Sequence, residues 1–448
     1  MIENLYSKYV GTGYRVTTDS RAISGGEMFF ALRGENFDGN DYALKALGSG
    51  AAWAVVNEDA GLNGDDRLIP APDPFRTLQE LAVYHRQNVL GEKRLPVIGL
   101  TGTNGKTTTK EFIREVLSAK YRVTATEGNL NNDIGVPLSI LKITPETEIA
   151  VIEMGANHPD DIAKLVKISQ PDFGLITNVG KAHLLGFGSF EGVKAAKGEL
   201  YKWLGAHRGS VIFINEDDAD LKDMASNQPC HTFGYGIRYQ GVELLPTDAD
   251  NPYLRLKIPY AGGSPKVVST KLVGAYNANN VLAALAVGEY FGVPFDDAVK
   301  SVEAYCPKNS RSQLMKAGSN TLIVDAYNAN PSSMAVALAN FAEFKADRKF
   351  ALLGDMRELG DDSVKEHVAI VRKLIDAGLD SCLVGAEFRK ALNELGIEEG
   401  DANTSIRWFS TSEELASSLS GKEFKDTAFL VKGSRGIKME NVLKALVD

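Results

Sequence analysis

The sequence predicts an α/β protein of three domains. At 448 residues the chain exceeds what one hydrophobic core normally organises. From residue 95 short apolar strands alternate with helical segments, the pattern of a mostly parallel sheet covered on both faces. Near 307–318 that alternation starts again. The expected divisions are 1–94, an α/β unit; 95–310, a central unit with a mostly parallel sheet; and 311–448, a Rossmann-like unit.

In chain order, residues 1–94 hold short strands, EMFFALRG and AAWAVVNE, and end in a helical run, RTLQELAVYHRQNVLG. LPVIGL then opens the central unit, where YRVTAT, EIAVIEMG, DFGLITNV and GSVIFIN read as buried strands. TTTKEFIREVLSAK, DDIAKLVKI and EGVKAAKGELYKWL read as helices between them. A more β-like insert, YLRLKIPYAGGSPKVVSTKLVG, precedes the helix of NANNVLAALAVGEYFG. In the last unit TLIVDAY, KFALLGDM, SCLVGA and TAFLVKGS are strands, each followed by a helical segment. No internal repeat, low-complexity tract or heptad run is visible.

Composition excludes several classes. With 44% apolar and 24% charged residues this is an ordinary globular chain, and its net charge of −9 argues against a general nucleic-acid or anionic-membrane binder. Cys230, Cys306 and Cys382 stand far apart without metal-type spacing, which suits a reducing compartment. The start, MIENLYSKYV, lacks a basic stretch followed by an apolar core, and no apolar run approaches ~18–20 residues. A cytoplasmic location without stable membrane association is expected.

Residues 97–110, VIGLTGTNGKTTTK, read as strand, glycine-rich turn and helix start. The free N–H groups of such a turn and of the first helical turn converge on an anion. Lys106 would reach the β- and γ-phosphates, and the Thr107 hydroxyl would bind Mg²⁺. The first glycine of the usual G-x-x-x-x-G-K-[ST] pattern is missing, since position 100 is Leu100. Gly99, one place early, reads as the displaced glycine of a variant loop; an ordinary strand–helix turn is the bland alternative.

Candidate partners lie after neighbouring strands, where open α/β sheets place their ligand crevice. Glu153 in VIEMGA is a carboxylate for the metal, or else a structural one. His183 in TNVGKAHLLGFG is a less expected Mg²⁺ ligand, because that ion prefers oxygen, and it could be incidental. Lys194 and Lys197 stand one helical turn apart and, from the residues alone, read first as a solvated helix face. Asn131 and Asn132 in NLNND could bind phosphate or sugar oxygens, or form an ordinary turn.

Taken together, TGTNGKTT at 101–108, NLNNDIGVPLS, EMGANHPDDI, TNVGKAHLLGFGS, GAYNANNVLAAL, VDAYNANPSSM, LGDMRELG and KGSRGIKMENV resemble, in order, the motif series of the Mur ligase family. These are ATP-dependent, amide-forming enzymes of peptidoglycan precursor synthesis. TTDSRAISGGEMFFALRGENFDGNDY resembles the UDP-substrate domain of its later-acting members, so the likeness spans essentially the whole chain. YNANPSSM followed by LGDMRELG is similar to the branch joining D-alanyl-D-alanine to UDP-N-acetylmuramoyl-tripeptide. The D-N-P-R box of the tripeptide-forming branch is absent, and NANP stands where the alanine-adding branch has G-H-H-P.

The resemblance implies that Gly102, Thr103, Asn104, Gly105, Lys106, Thr107 and Thr108 hold ATP. It makes Glu153 and His183 ligands of Mg²⁺, and Lys197 a carbamylated lysine holding a second Mg²⁺. Asn280 is implied near the adenine, Arg311 at the phosphates and Asp325 at the ribose or nucleotide. Asp19, Ser20 and Arg21 are implied at the UDP portion, joined in substrate binding by Asn131 and Asn132. Asn328, Asn330, Lys432 and Arg435 are implied at the peptide or the incoming dipeptide. Two positions depart from the family: Leu185 where many relatives carry glutamate, and Asn40 where histidine is common. The implied chemistry is phosphorylation of the tripeptide carboxylate by ATP, then attack by the D-alanyl-D-alanine amine. Other readings are a relative with a different amino substrate (another Mur-type or a folylpolyglutamate-type ligase), a GTPase or small-molecule kinase, and a non-catalytic nucleotide-binding module. No N-K-x-D base-reading box supports a GTPase.

Overall fold

A computed structural model describes residues 2–247, 251–260, 263–307, 311–398 and 405–447. The run LPVIGLT becomes the strand Val97–Thr101, whose five residues are all buried. It lies inside a six-stranded parallel sheet ordered His231–Tyr235, Val211–Asn215, Phe173–Ile176, Val97–Thr101, Ile149–Glu153 and Val123–Ala125. Strand order reverses around Val97–Thr101, so the crevice at its carboxyl end is the topological switch point. Helix Lys106–Ser118 buries Phe112, Ile113, Val116 and Leu117 against the nearly all-apolar helix Ala278–Tyr290. The β-like insert forms a separate antiparallel sheet of Glu243–Leu245, Arg255–Ile258 and Lys266–Ser269.

The C-terminal sheet runs Gln313–Ala317, Asn320–Asp325, Thr427–Lys432, Arg348–Gly354, Asp380–Val384 and Ile406–Phe409. Its four anticipated strands are present and parallel. Two further strands sit at the edges: Gln313–Ala317 is antiparallel, and Ile406–Phe409 is parallel. Among the described residues no helix is long and apolar enough to cross a membrane.

The N-terminal sheet, Val16–Thr17, Met28–Phe30, Trp53–Asn57 and Leu68–Ala71, is parallel throughout. Helix Pro74–Asn88 starts where Asp73 accepts hydrogen bonds from Phe75 and Arg76 N–H groups, with proline at the first turn. Leu78, Leu81, Ala82 and His85 make one helical face, which shares a continuous core with the central unit. Polar bonds seal this seam. Tyr9 donates to the Leu141 carbonyl, and the Arg86 guanidinium meets Asp172 at 2.9 Å. The N-terminal part is therefore docked by an apolar core as well as by hydrogen bonds.

His85 is fully buried in that seam, with Nε2 2.8 Å from the Ile143 carbonyl and the rings of Tyr6, Tyr9 and Tyr14 around it. Desolvation lowers its pKa to about 4. An unfolded histidine protonates near ~6.5. Between those values the unfolded chain binds the extra proton, so stability falls as the pH drops through this window. His85 alone should remove on the order of 3 kcal/mol by pH 4. Urea midpoints at pH 6.5 and 4.5 check this: His85→Gln should flatten the pH dependence, and an unchanged slope rejects it.

Candidate active site

The chain leaves Val97–Thr101 through a loop that two glycines make possible. Gly102 (φ +148°) and Gly105 (φ +79°) both have backbone conformations that side chains rarely adopt. A Cβ at Gly102 would lie 1.9 Å from Thr177 Oγ1, and one at Gly105 would lie 2.7 Å from Asn280 Oδ1. Gly99 behaves differently from the expectation. It sits inside the strand, where a Cβ would press on Met154 and Pro171 at 2.9 and 3.0 Å. Leu100 is a fully buried core residue of the same strand. The turn glycine of the loop is Gly102, and Gly99 is a packing glycine.

The strand end at 177–180 stitches this loop down. Asn178 brackets Asn104, accepting from its N–H and donating to its carbonyl, both at 3.0 Å. Thr177 Oγ1 donates to the same carbonyl at 2.6 Å, and Thr103 Oγ1 accepts from Gly180 N–H at 2.9 Å. Lys106 curls over the loop, its ammonium donating to the Gly102 and Thr103 carbonyls at 2.8 and 3.2 Å. Enclosure by protein lowers its pKa, against the upward pull of Glu153 and with a further lowering by Arg311.

Glu153 ends the neighbouring strand and is buried. Its Oε1 accepts from Thr107 Oγ1 at 3.2 Å and from Asn131 Nδ2 at 2.8 Å. Its Oε2 is buried without a hydrogen-bond partner. An unpartnered carboxylate oxygen next to a hydroxyl and beyond a phosphate loop suits a hard cation. His183 (φ +51°) points its Nδ1 at Glu358 of the C-terminal unit. Desolvation lowers the His183 pKa, and Glu358 opposes that shift. Among the described residues no group of three His, Cys, Asp or Glu side chains stands ready-made for a metal.

A cavity of about 800 Å³ opens over this loop between the central and C-terminal units. Of the residues singled out in the sequence, it brings together 103–108, Asn131, Asn132, Glu153, His183, Asn280, Arg311, Asp325, Asn328, Asn330 and Lys432. Asn280 is fastened by Thr109 and Asn277 beside Gly105. Lys432 pairs with Asp325, and Asn330 both caps helix Pro331–Glu343 and donates to Asn104 Oδ1 at 2.8 Å. Asn132 also accepts from the Gly135 N–H at 2.8 Å, which gives it a structural share.

Other residues lie apart. Lys197 is 2% exposed and outside the cavity lining, its ammonium 5.8 Å from the Phe187 ring centroid. Burial, and then the charge of Lys106, lower its pKa to about 7. Arg435 is exposed and does not line the cavity. Asp19, Ser20 and Arg21 form a surface turn in the N-terminal unit, with Arg21 bonded to both Asp19 oxygens at 2.9 and 2.8 Å. Asn40 is buried and bonded to Asp38 and Asn57, while Leu185 is 71% exposed and touches the Gly360 region.

Sequence reasoning did not single out Tyr276, Asn277, Tyr327 or Ser332, all of which line the cavity, nor Lys181, which pairs with Glu366 across the cleft at 2.6 Å. An aromatic between polar residues at a strand end, as in DAYNAN, was the available signal for Tyr327. Asp355 does not face the cavity. It accepts from the Glu387 and Phe388 N–H groups, both at 2.9 Å.

Three family descriptions match along the chain: Mur ligase family, catalytic domain, over 13–92; Mur ligase middle domain over 100–288; and Mur ligase, glutamate ligase domain, over 310–435. The UDP-N-acetylmuramoyl-tripeptide–D-alanyl-D-alanine ligase of Bacillus subtilis is 32% identical over 97% of this chain and 93% of its own length. The chain belongs to the Mur ligase family. The Escherichia coli ligase of the same description is 33% identical, again over 97% and 93%. A crystal structure of MurF from Acinetobacter baumannii superposes with TM-score 0.83 at 30% identity, covering 97% of this chain and 93% of that one. MurF ligase from Thermotoga maritima in complex with ADP gives 0.81 at 28%, covering 96% of each. In Mur ligase terms, the cavity lies between the middle and glutamate ligase domains, and the loop at 102–108 belongs to the former.

Gly102→Ala tests the loop geometry. Nucleotide affinity measured by calorimetry should fall at least about tenfold, because the new Cβ displaces the loop or Thr177. Gly61→Ala also carries a positive φ but has open space around it, and it should change affinity less than about twofold. Equal effects from the two would reject the close-approach argument.

Proposed function

We propose that this ATP-dependent Mur ligase joins D-alanyl-D-alanine to UDP-N-acetylmuramoyl-tripeptide, releasing ADP and phosphate and completing the pentapeptide precursor of peptidoglycan. The observation that carries the reading is the cavity itself, where a phosphate loop with Lys106 faces Arg311, Asp325 and Lys432 from another domain. Full-length likeness to ligases of that description supports the choice of substrates.

The tripeptide's terminal carboxylate attacks the γ-phosphorus of ATP. A new O–P bond forms, the bond to the β-γ bridging oxygen breaks, and ADP leaves. The amine of D-alanyl-D-alanine then attacks the acyl carbon of the acyl phosphate. Its C–O bond breaks, phosphate departs, and the amine nitrogen releases a proton. The backbone N–H groups at 102–108 hold the phosphates, while Lys106 and Arg311 offset charge as it moves onto the bridging oxygen. Glu153 and the Thr107 hydroxyl would hold Mg²⁺, with His183 as a further ligand and carbamylated Lys197 holding a second ion. Bound there, the metal supplies positive charge that neutralises the phosphate oxygens. Asn280 lies towards the adenine, and Asp325 contacts the ribose or positions the nucleotide. Asn131 and Asn132 serve phosphate or sugar oxygens of the substrate, Asn328, Asn330, Lys432 and Arg435 serve the peptide or dipeptide, and Asp19, Ser20 and Arg21 serve the UDP end. We place the activity in the cytoplasm, in keeping with three unpaired cysteines.

A phosphate-release assay with a matrix of acceptors and amines tests this. UDP-muramoyl-tripeptide with D-alanyl-D-alanine should give turnover, and Lys106→Ala should lower it at least about a thousandfold. Turnover with folate and glutamate instead would move the chain to the polyglutamate-forming branch. Undiminished turnover by Lys106→Ala would refute the role of the loop.

Lys197 has its own test. A lysine amine with a pKa of about 7 is substantially neutral at neutral pH, and only the neutral amine attacks CO₂ to form a carbamate and release a proton. With ¹³C-bicarbonate, the carbamate NMR signal should grow from pH 6 to pH 8 and vanish in Lys197→Met. A signal that survives this substitution assigns the carbamate elsewhere.

A further inference from the structure

We propose that Tyr327 is a positioning residue that holds the Arg311 guanidinium at the phosphate end of the cavity. The inference rests on the phosphate role given to Arg311 above. The guanidinium carbon lies 3.7 Å from the Tyr327 ring centroid, well inside the range of a cation–π contact. Among the described residues the Arg311 side chain has no carboxylate partner, so nothing else of opposite charge fixes it. Arginine has several rotatable bonds, and an unsupported side chain would sample many orientations of its fork.

The backbone on the other side of Arg311 is already pinned. Ser312 has φ +46°, an uncommon conformation for a residue with a side chain. Its N–H donates to Asp325 Oδ1 at 3.3 Å, and its hydroxyl bonds the Tyr276 hydroxyl at 2.8 Å. Tyr327 is half-buried, on the short connection between a strand and a helix. It lies two residues past the strand Asn320–Asp325 and three before the Asn330 cap of helix Pro331–Glu343. A backbone pinned at Ser312 and a ring set between two ordered elements thus bracket a cation whose charge reaches Lys106. The two cations converge on one region from two domains. Arg435 lies farther from the same ring, at 5.8 Å, and outside the cavity lining.

Steady-state kinetics of the full-length protein, with UDP-muramoyl-tripeptide, D-alanyl-D-alanine and ATP, test the proposal on Tyr327→Leu, Tyr327→Phe, Arg311→Lys and the Leu/Lys double variant. Removing the ring in Tyr327→Leu should lower kcat about tenfold and change the KM for D-alanyl-D-alanine less than about twofold. Tyr327→Phe keeps the ring and should restore kcat to within about twofold of the original. The double variant should be no slower than the slower single variant, because both changes remove one function. If Tyr327→Leu does not fold, Tyr327→Met takes its place in the cycle. Losses that multiply in the double variant overturn the proposal, as does a Tyr327→Phe as slow as Tyr327→Leu. An Arg311→Lys without effect overturns it by a separate route, since the phosphate role of Arg311 itself then fails.

Discussion

The structure turns on an imbalance of charge at the carboxyl end of one parallel sheet. Lys106, Lys197 and Arg311 act electrostatically on one another or on a shared neighbour, and Glu153 is the carboxylate buried among them. Lys106 finds only carbonyl oxygens of its own loop, and Lys197 only an aromatic ring, so neither ammonium is neutralised by a direct ion pair among the described residues. Enclosing cations costs solvation that carbonyl dipoles offset only in part, and the depressed lysine pKa values report that cost. A polyanion entering the cavity reverses it. The same enclosure that costs the cations their solvation makes each contact to a phosphate stronger than it would be in water.

Two kinds of interface surround this centre. The N-terminal unit is joined to the middle one by a shared apolar core, sealed by Tyr9, His85 and Arg86. The C-terminal unit meets the middle one largely through polar bonds at loop tips: Asn104 to Asn330, Lys181 to Ser332 and Glu366, and His183 to Glu358. Polar contacts of this kind exchange with water at little net change in free energy, whereas separating the apolar seam exposes core. Relative motion is thus expected at the second interface, where the nucleotide would bind, and not at the first. His183 belongs to both descriptions, as a cavity residue and as a contact of the C-terminal unit.

What the sequence revealed follows the range of the forces involved. The strand, glycine turn and helix start of 97–110 were legible because such a unit is set by neighbours within ten residues. The place of Glu153 at the cavity was legible because strand ends at a switch point face the crevice of an open α/β sheet. The role given to Gly99 was not right, since strand packing against Met154 and Pro171 depends on contacts about 55 and 72 positions away, counted from the residue numbers. The edge strands Gln313–Ala317 and Ile406–Phe409 are five and four residues long, and their pairing supplies the order that their own patterns lack. Tyr327 and Glu358 escaped notice for the same reason: each gains its meaning from a partner in a distant segment. Lys197 shows the opposite case. Its helix was plain from periodicity, but which lysine turns inward depends on packing: Lys194 pairs with Asp220 and Asp223, while Lys197 is buried.

The two-step chemistry gives these features one purpose. An acyl phosphate is open to water, so a ligase must form it where the amine, and not solvent, is the next nucleophile to arrive. A site completed by residues from two domains does this better than a site on one, because the reactive geometry exists only when the cleft is shut. Fixed elements on both sides then become necessary. Gly102 and Gly105 let the loop backbone lie against Thr177 and Asn280, and the locked Ser312 does the same work for the opposite wall. Between them stand two cation side chains: Lys106, held by the carbonyls of its own loop, and Arg311, whose reach the ring of Tyr327 limits.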